Sequence, residues 1–377
     1  MEHHPLVSWP EHGLIRSARW ASRHRLPESL VTAGDELRAD HFVRWARRGR
    51  AVLWRGDHRT ARQVLAAAKR RLEPRATGFR EHRLATARRA HLLSRLVVEL
   101  DAGHRLALRH GPDVADACGQ VLPAGPLLIP LTELLGVLGA HRWRTEGLRV
   151  PVLDRRIHPH HGVFAPTRQE YLDLVAGAPW PDPVTAFDIG TGTGVLALLL
   201  AHRGARHVVA TDVEPRAVAC ARENTAGHGI EVLRTDLFPP CRADLVVCNP
   251  PWLPGVPGSS LDAAVYDPGS AMLRGFLHGL PHHLTPGGEG WLVLSDLAER
   301  LGLRTRDELT GTIAAAGLTV LDRLDVRPRH RTDRGPFAAQ RAAEVVSLWR
   351  LAVADRPATP GVGPPAAGTR AVRCRLP

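Results

Sequence analysis

Short apolar runs alternate with helical segments in the carboxyl-terminal part of the chain, from about residue 183 onward. Seven of these runs are rich in β-branched residues and have the length of strands: 184–189, 207–211, 230–234, 244–248, 290–295, 318–326 and 344–352. Strands that alternate with helical segments are typical of βαβ units and a parallel sheet. The pattern predicts an α/β domain with a doubly wound, seven-stranded, mostly parallel sheet.

The amino-terminal part of the chain has a different pattern. Residues 30–100 read mainly as amphipathic helices with basic polar faces, and 59–73 is the clearest case. We therefore expect residues 1–150 to form a separate, basic and mainly helical domain. Trp45 and Trp54 lie among its arginines. Such tryptophans either stack on nucleic-acid bases or pack in a core, and the sequence leaves both interpretations open.

Proline, glycine and histidine mark the domain limits. A proline-punctuated apolar segment at 121–140 ends in a predicted helix, and the Pro/His-rich stretch at 151–162 indicates a connection between domains. The second domain is expected over 151–354. The Pro/Gly/Ala-rich segment 355–377 has little to bury and is predicted to be a disordered tail.

Composition narrows the class of protein. With 44% hydrophobic and 23% charged residues among 377, the chain is typical of a globular protein. No apolar stretch approaches the roughly 18 residues that a membrane span needs, and the first residues lack a secretory signal. The five cysteines are widely spaced and form no CxxC pair. These features predict a cytoplasmic protein with no membrane association.

The positive charge is unevenly distributed. Residues 1–150 hold 26 basic against 15 acidic side chains, a net charge of +11, whereas the rest of the chain holds 24 against 23. Lys69 is the only lysine, so the arginines also fit the codon usage of a GC-rich genome. The excess favours a phosphate-bearing partner, such as RNA or a protein presented on the ribosome. Solvated helix faces are the alternative interpretation.

A glycine-rich turn follows the first predicted strand of the sheet. The strand ends in Asp188 and Ile189 and continues as GTGTG, with Gly190, Thr191, Gly192 and Gly194, into an apolar helix. Glycines let a ligand approach the backbone, and a helix amino terminus presents unpaired N–H groups to the ligand's polar part. The turn therefore predicts a nucleotide-like ligand.

Acidic residues at the next two strand ends support this prediction. Asp212 follows Gly190 by 22 residues, and a carboxylate at that position can accept both hydroxyls of a ribose. Asp236 and Leu237 follow the third strand, where the carboxylate is placed near an adenine amino group. Together these residues indicate a cofactor that contains a nucleoside, without distinguishing which one.

The fourth strand runs into the tetrapeptide Asn249-Pro250-Pro251-Trp252. The two prolines restrict the backbone, so that the Asn249 side-chain carbonyl and the Pro250 main-chain carbonyl can point at one place. Trp252 offers a flat face beside them. Such an arrangement is suited to a planar NH2 group.

These motifs resemble a known family. FDIGTGTG, the two acidic strand ends and VVCNPPW resemble the class I S-adenosylmethionine-dependent methyltransferases, which have a Rossmann-like fold, of the (Asn/Asp)-Pro-Pro-(Tyr/Phe/Trp) type. These enzymes methylate amide or exocyclic amino nitrogens. The segment GVFAPTRQEYLDLVA, in which Glu170 lies 18 residues before Asp188, is similar to one in the release-factor glutamine N5-methyltransferases. The chain also resembles the small-domain RNA methyltransferases. The likeness covers about 160–352.

The resemblance implies S-adenosyl-L-methionine as cofactor and assigns residues to it. The implied cofactor-binding residues lie at or after the ends of predicted strands: Asp188, Gly190, Thr191, Gly192, Gly194, Asp212, Asp236, Leu237 and Asn249. The implied catalytic residues are those of the tetrapeptide, in which Asn249 and Pro250 would hold the target nitrogen: Asn249, Pro250, Pro251 and Trp252. Trp252 replaces the commoner tyrosine, and residues 1–150 resemble no known amino-terminal domain.

Three functions remain open on the sequence. The first is an N-methyltransferase that acts on a glutamine of a translation protein or on a nucleic-acid base, RNA more than DNA. The second is an NAD-dependent oxidoreductase, which would share the glycine turn but leave the tetrapeptide without a role. The third is a non-catalytic nucleotide-binding module.

Two further features are expected to be structural. The cluster of His158, His160 and His161 has no usual metal-ligand spacing, and we expect no metal. Cys248 precedes Asn249 on a strand that reads as buried, so packing is expected rather than nucleophilic chemistry.

Overall fold

The structure is a computed structural model that describes residues 4–75, 78–329 and 336–354. The chain divides into two compact units, Met1–Arg142 and Trp143–Pro377. The division falls inside a helix, Leu131–Glu146. The tail predicted at 355–377 lies outside the described residues.

The described residues of the first unit form six strands and five helices. In chain order these are β1 (Leu6–Glu11), β2 (Leu14–Trp20), β3 (Ser29–Ala33), α1 (Ala39–Arg47), β4 (Arg50–Trp54), α2 (His58–Arg71), α3 (Phe79–Leu93), β5 (Leu96–Leu100), α4 (Ala115–Gly119), β6 (Leu127–Pro130) and α5 (Leu131–Glu146). The strands form one mixed sheet in the order β1-β2-β6-β5-β4-β3.

The prediction of a mainly helical amino-terminal domain is wrong, because this unit is built around the mixed sheet. Helix α2 does cover the predicted 59–73 segment closely, and its apolar face is buried. The strands β4, β5 and β6 are short apolar runs between helices. Periodicity alone does not separate such runs from buried helical segments. Trp54 is fully buried in the core against these strands.

An ion network with buried carboxylates joins strands β1, β2 and β5 to Arg55, the residue after β4. Glu11, at the end of β1, accepts hydrogen bonds from Arg55 Nε at 2.7 Å and Arg55 Nη2 at 2.6 Å. Arg55 also pairs with Glu99 of β5 at 2.7 Å, and Arg16 of β2 contacts both carboxylates. The Arg55 guanidinium lowers the pKa of Glu11, whose side chain is only 6% exposed. The network therefore stabilises the folded unit when Glu11 is ionised.

The second unit contains the remaining elements. In chain order these are β7 (Leu148–Val150), β8 (Arg155–Ile157), α6 (Glu170–Gly177), β9 (Thr185–Ile189), α7 (Val195–His202), β10 (His207–Asp212), α8 (Pro215–Asn224), β11 (Ile230–Arg234), β12 (Ala243–Cys248), β13 (Leu253–Pro254), α9 (Ser260–Ala263), β14 (Tyr266–Asp267), α10 (Ala271–His283), β15 (Leu284–Ser295), α11 (Leu297–Arg300), α12 (Arg306–Ala315), β16 (Leu318–Val326), α13 (Ala338–Ala342) and β17 (Val346–Val353). Two single 3₁₀ turns lie at Pro151–Leu153 and Pro268–Ser270.

Seven of these strands form one sheet in the order β11-β10-β9-β12-β15-β17-β16. Strand β17 is antiparallel to both of its neighbours, and the strands from β11 to β15 are parallel. All seven predicted strands are present. The main difference in bounds is at β15, which begins at Leu284 rather than at 290.

Both faces of this sheet are covered by helices. Helices α6, α7 and α8 pack with one set of strand side chains, and α10 and α12 pack with the other. Helix α7 contributes six consecutive buried residues, from Val195 to Leu200. The doubly wound α/β architecture predicted for this half of the chain is confirmed.

Over the described residues, no helix combines the length and the apolar character that crossing a membrane requires.

Replacing Glu11 by glutamine should destabilise the protein by about 1–3 kcal/mol at neutral pH, because a buried charge-assisted hydrogen bond is lost. Since the pKa of Glu11 is lowered in the folded state, this contribution exists above its ordinary pKa of 4.5 and disappears as the pH falls through the lowered value. Urea unfolding of wild type and E11Q measures the difference. The matched control is Asp40→Asn, which removes an exposed pair with Arg71 and should change little. A destabilisation of E11Q that persisted unchanged at acid pH would contradict the assignment.

Candidate active site

The predicted site residues converge because three parallel strands end at the same level. In the sheet, Ile189 of β9 pairs with Thr211 of β10 on one side and with Cys248 of β12 on the other. The residues that follow these positions in the three strands are Gly190, Asp212 and Asn249. Strand register alone therefore places the glycine turn, the acidic strand end and the tetrapeptide at one edge of the sheet.

The glycine turn has a left-handed backbone that its glycines accommodate. The φ angles are +71° at Gly190, +56° at Gly192 and +81° at Gly194. A Cβ atom on Gly190 would lie 2.5 Å from Met272 Cε, whereas one on Gly192 would meet nothing within 4 Å. The turn is therefore packed against α10 at one glycine and open at the next, where a ligand can approach the backbone.

Asp188 supports this turn from below. Its Oδ2 atom accepts hydrogen bonds from Thr191 Oγ1 at 2.5 Å and from the Ala197 backbone N–H at 2.9 Å. The residue is fully buried, and its Oδ1 atom has no hydrogen-bond partner among the described residues. One carboxylate oxygen thus braces the loop. The other oxygen is free, among the described residues, to accept a hydrogen bond from a ligand.

Burial also changes the protonation of the two aspartates. It raises the pKa of Asp188 to about 7, and the neighbouring charge of Asp212 adds to the effect. Burial likewise raises the pKa of Asp212, against the hydrogen bonds that its carboxylate accepts from the backbone of Glu214 and Gly192. Those bonds measure 2.9 Å and 3.0 Å. Asp212 is therefore oriented by the glycine turn itself.

Asp236 and Leu237 lie at the end of β11, one strand farther from β9. Leu237 has a φ of +59°, and its carbonyl accepts a 2.6 Å hydrogen bond from Thr211 Oγ1. Asp236 is exposed. The left-handed backbone at Leu237 had no signal in the sequence, because it depends on the contact with β10.

The tetrapeptide after β12 makes a contact that sequence reasoning missed. Trp252 Nε1 donates a 2.8 Å hydrogen bond to Asn249 Oδ1. Trp252 was expected to contribute only a flat face, but it also orients the asparagine carbonyl. An amide oxygen has two acceptor positions, so Asn249 keeps one for an external N–H group. Pro250 is buried, and Asn249 is half-buried.

A charged network beside Trp252 was also missed. The Arg168 guanidinium lies 5.0 Å from the Trp252 ring centroid and donates to Glu170 Oε1 at 2.7 Å and Glu344 Oε1 at 3.1 Å. Both carboxylates are almost fully buried. Glu170 was noted only for its spacing from Asp188. The network ties two segments remote in sequence to the tetrapeptide, and it holds the indole in place through a cation–π contact.

The histidine cluster is engaged with protein groups. His158 Nδ1 lies 2.7 Å from the Arg144 carbonyl, and His160 Nε2 lies 2.8 Å from Glu223 Oε2. Within the described ranges, no group of three or more histidine, cysteine, aspartate or glutamate side chains is placed to hold a metal ion. Cys248 is fully buried, and burial raises the pKa of its thiol, as suits a packing residue.

The edge of the sheet fits a cofactor that carries both a ribose and a charged amino acid. The orphaned Asp188 Oδ1 atom, the open space at Gly192 and the oriented carboxylate of Asp212 are the observations that support this fit. Ammonium and hydroxyl groups can donate hydrogen bonds to such oxygens.

Replacing Asp188 by asparagine should change how stability depends on pH. The pKa of Asp188 is about 7 in the folded chain and 3.8 ordinarily, so the folded state retains this proton over that range. The wild type should therefore lose stability relative to D188N as the pH rises from 3.8 to about 7, and the difference should level off above. Urea unfolding of the cofactor-free proteins across this range measures it. A difference that did not change with pH would contradict the raised pKa.

Comparison with known proteins shows which families and proteins this chain is similar to. Residues 156–303 match the family described as Methyltransferase small domain. A release factor glutamine methyltransferase of Cereibacter sphaeroides is 34% identical over 192 residues, which cover 45% of this chain and 66% of that protein. One of Mycolicibacterium smegmatis is 31% identical over 230 residues, which cover 56% of this chain and 74% of that protein.

Among solved structures, ribosomal protein L11 methylase from Lactobacillus delbrueckii subsp. bulgaricus matches at 20% identity and a TM-score of 0.33, covering 49% of this chain and 77% of that one. The sequence relatives, together with the glycine turn and the tetrapeptide at one sheet edge, identify the family. The chain belongs to the family of S-adenosylmethionine-dependent methyltransferases that contains the release factor glutamine methyltransferases.

Proposed function

We propose that this protein transfers a methyl group from S-adenosyl-L-methionine to the side-chain amide nitrogen of a glutamine in a protein of translation. The observation that carries the proposal is Asn249 Oδ1, half-buried at the sheet edge and oriented by Trp252 Nε1. Glutamine is favoured over a nucleic-acid base because two relatives are named as glutamine methyltransferases. The match to this chain covers 74% of one of these proteins and 78% of the other.

The geometry at the sheet edge supports the proposed cofactor site. Asp212 would accept the ribose hydroxyls, the open backbone at Gly192 would face the methionine part, and Asp188 Oδ1 would accept from its donor groups. Asp236 and Leu237 would frame the adenine. The bound cofactor supplies an electrophilic methyl group on a sulfonium ion. The chain's own task is to place the acceptor nitrogen in line with that methyl.

An amide nitrogen is a poor nucleophile, since its lone pair is delocalised into the carbonyl group. Asn249 Oδ1 and the Pro250 carbonyl would accept its two N–H bonds, which favours a more tetrahedral nitrogen and directs the lone pair. The rate would come from in-line positioning and from preorganised acceptors rather than from a strong general base. Arg168 would act through Trp252, whose orientation it supports.

Two other functions were open on the sequence. Hydride transfer with NAD leaves the oriented Asn249 without a role. A non-catalytic nucleotide-binding module does not require an oriented Asn249 either. Methylation of a base would use the same acceptors, since an exocyclic amino group is also planar. The amino-terminal unit would recognise the substrate, and the net charge of +11 over residues 1–150 suits a phosphate-bearing target such as a protein presented on the ribosome.

The decisive experiment for the substrate is methyl transfer with a tritiated cofactor on cell extract, with and without nuclease. We expect label in protein, insensitive to nuclease, and N5-methylglutamine on mass spectrometry of the labelled protein. Label recovered only in nucleic acid would overturn the assignment to glutamine while leaving the methyltransferase chemistry intact.

Two substitutions should distinguish a defect in holding the acceptor nitrogen from a defect in binding the cofactor. Asn249→Ala should lower turnover at least about a hundredfold and leave cofactor affinity nearly intact, because it removes the acceptor for the target nitrogen. Asp212→Ala should weaken cofactor binding by about 1.5–3 kcal/mol, the effect of losing charge-assisted hydrogen bonds. Calorimetry with S-adenosylhomocysteine and steady-state kinetics measure both. Equal loss of affinity in the two variants would contradict the division of roles.

Trp252→Phe tests the indole hydrogen bond, because it keeps the aromatic face and removes the N–H that orients Asn249. We expect turnover to fall about tenfold, near the worth of one hydrogen bond, with cofactor affinity unchanged. Trp252→Ala should lower turnover further, since the ring and its contact with Arg168 are lost as well. Wild-type turnover in Trp252→Phe would leave the ring face as the only role of this residue.

A further inference from the structure

A cavity of about 580 Å³ lies in the second unit between α10 and α12. Its wall includes Pro254 of β13, Leu273 and Arg274 of α10, and Arg304 from the segment that joins α11 to α12. The glycine turn and Asn249 are not part of this wall. It is a separate recess.

Arg304 is the unusual residue of the cavity. It is only 9% exposed, and its Nε and Nη2 atoms are buried without a hydrogen-bond partner among the described residues. Burial lowers the pKa of Arg304. A buried guanidinium without a partner costs free energy, and an anion bound in the recess would offset that cost.

The nearby carboxylates do not serve as that anion, because each is committed elsewhere. Asp267 accepts from the backbone N–H groups of Met272 and Leu273 at the start of α10. Glu299 accepts from Arg306, and Glu308 accepts from the Thr305 backbone in a capping box. Their charges attract Arg304 from a distance without bonding to it.

A second cation lies at the rim. Arg274 is exposed and lines the same cavity, one turn of α10 away from its first residue. The recess thus presents one buried and one exposed guanidinium, and the planar fork of each suits an oxygen pair.

Two elements, β13 and α10, connect the recess to the acceptor site. Pro254 is the second residue after Trp252, and its strand is paired with β14. On α10, the side chain of Met272 contacts the glycine turn, while the next residue, Leu273, lines the recess. A peptide whose glutamine reached Asn249 would therefore carry neighbouring side chains towards Arg304.

We propose that this recess binds the carboxylate of an acidic side chain near the target glutamine, with Arg304 as its buried partner and Arg274 at the rim. The inference rests on the proposed function for the identity of the substrate as a protein. Arg304 would then determine which glutamine is chosen, since a peptide without the acid leaves the guanidinium unpaired.

Binding can be tested without methyl transfer. The full-length protein is titrated with N-acetylglutamate amide, N-acetylglutamine amide and O-phosphoserine amide at constant ionic strength, and its thermal unfolding is followed. We expect the glutamate compound alone to raise the unfolding temperature of the wild type. Arg304→Gln should abolish that rise and, without ligand, unfold at a temperature equal to or above the wild type, because a buried unpaired charge is gone.

The matched control is Arg306→Gln, two residues away and bonded to Glu299 outside the recess. It should unfold at a lower temperature and keep the response to N-acetylglutamate amide. An equal response in Arg304→Gln, or a response to the phosphoserine compound in place of the glutamate compound, would overturn the proposal. A lowered unfolding temperature of Arg304→Gln together with no ligand response in the wild type would assign Arg304 a structural role and also overturn it.

Activity then tests the role in specificity. Peptides with one glutamine carry a single glutamate at each flanking position in turn, and matched peptides carry serine there. We expect one glutamate position to raise kcat/KM about tenfold or more in the wild type, and Arg304→Gln to lose that preference while it still methylates the serine peptide. A preference that survives in Arg304→Gln would overturn the proposal. If no peptide is methylated by either protein, the proposed function fails. The thermal titration still tests whether the recess binds a carboxylate.

Discussion

The parallel register of β10, β9 and β12 is the constraint on which the site depends. Because Ile189 pairs with Thr211 and Cys248, the three strands end together, and the residues after them share one edge. Each strand end leaves polar groups that the sheet no longer satisfies, so ligands bind there. A shift of one residue in any of these pairs would separate the glycine turn, Asp212 and Asn249.

Buried charged groups without a partner occur in both units, and two of them lie in the sites proposed for the second unit. Asp188 keeps one oxygen without a partner beneath the glycine turn, and Arg304 keeps two unpartnered nitrogens in the neighbouring recess. Elsewhere in the second unit, buried carboxylates are paired, as Glu344 is with Arg168 and Ser295. Unpaired buried groups cost stability, and this cost is consistent with groups that await a cofactor and a substrate.

Much of the second unit could be predicted because its signals are local. Each parallel strand reads as a short β-branched run, and each strand-end motif directly follows its own strand in the sequence. The first unit was mispredicted as mainly helical, since the apolar runs of β4, β5 and β6 are too short for periodicity to distinguish from helix. Their pairing is decided by partners far away in the chain.

The sequence by itself determined which residue types stand at the strand ends, because glycine, aspartate and the Asn-Pro-Pro-Trp segment carry their own backbone and hydrogen-bonding preferences. Only the tertiary structure decided that Trp252 donates to Asn249, that Arg168 lies over the indole and that Arg304 is buried without a partner. Side-chain orientation and burial depend on contacts between segments distant along the chain. No local pattern of residues encodes those contacts.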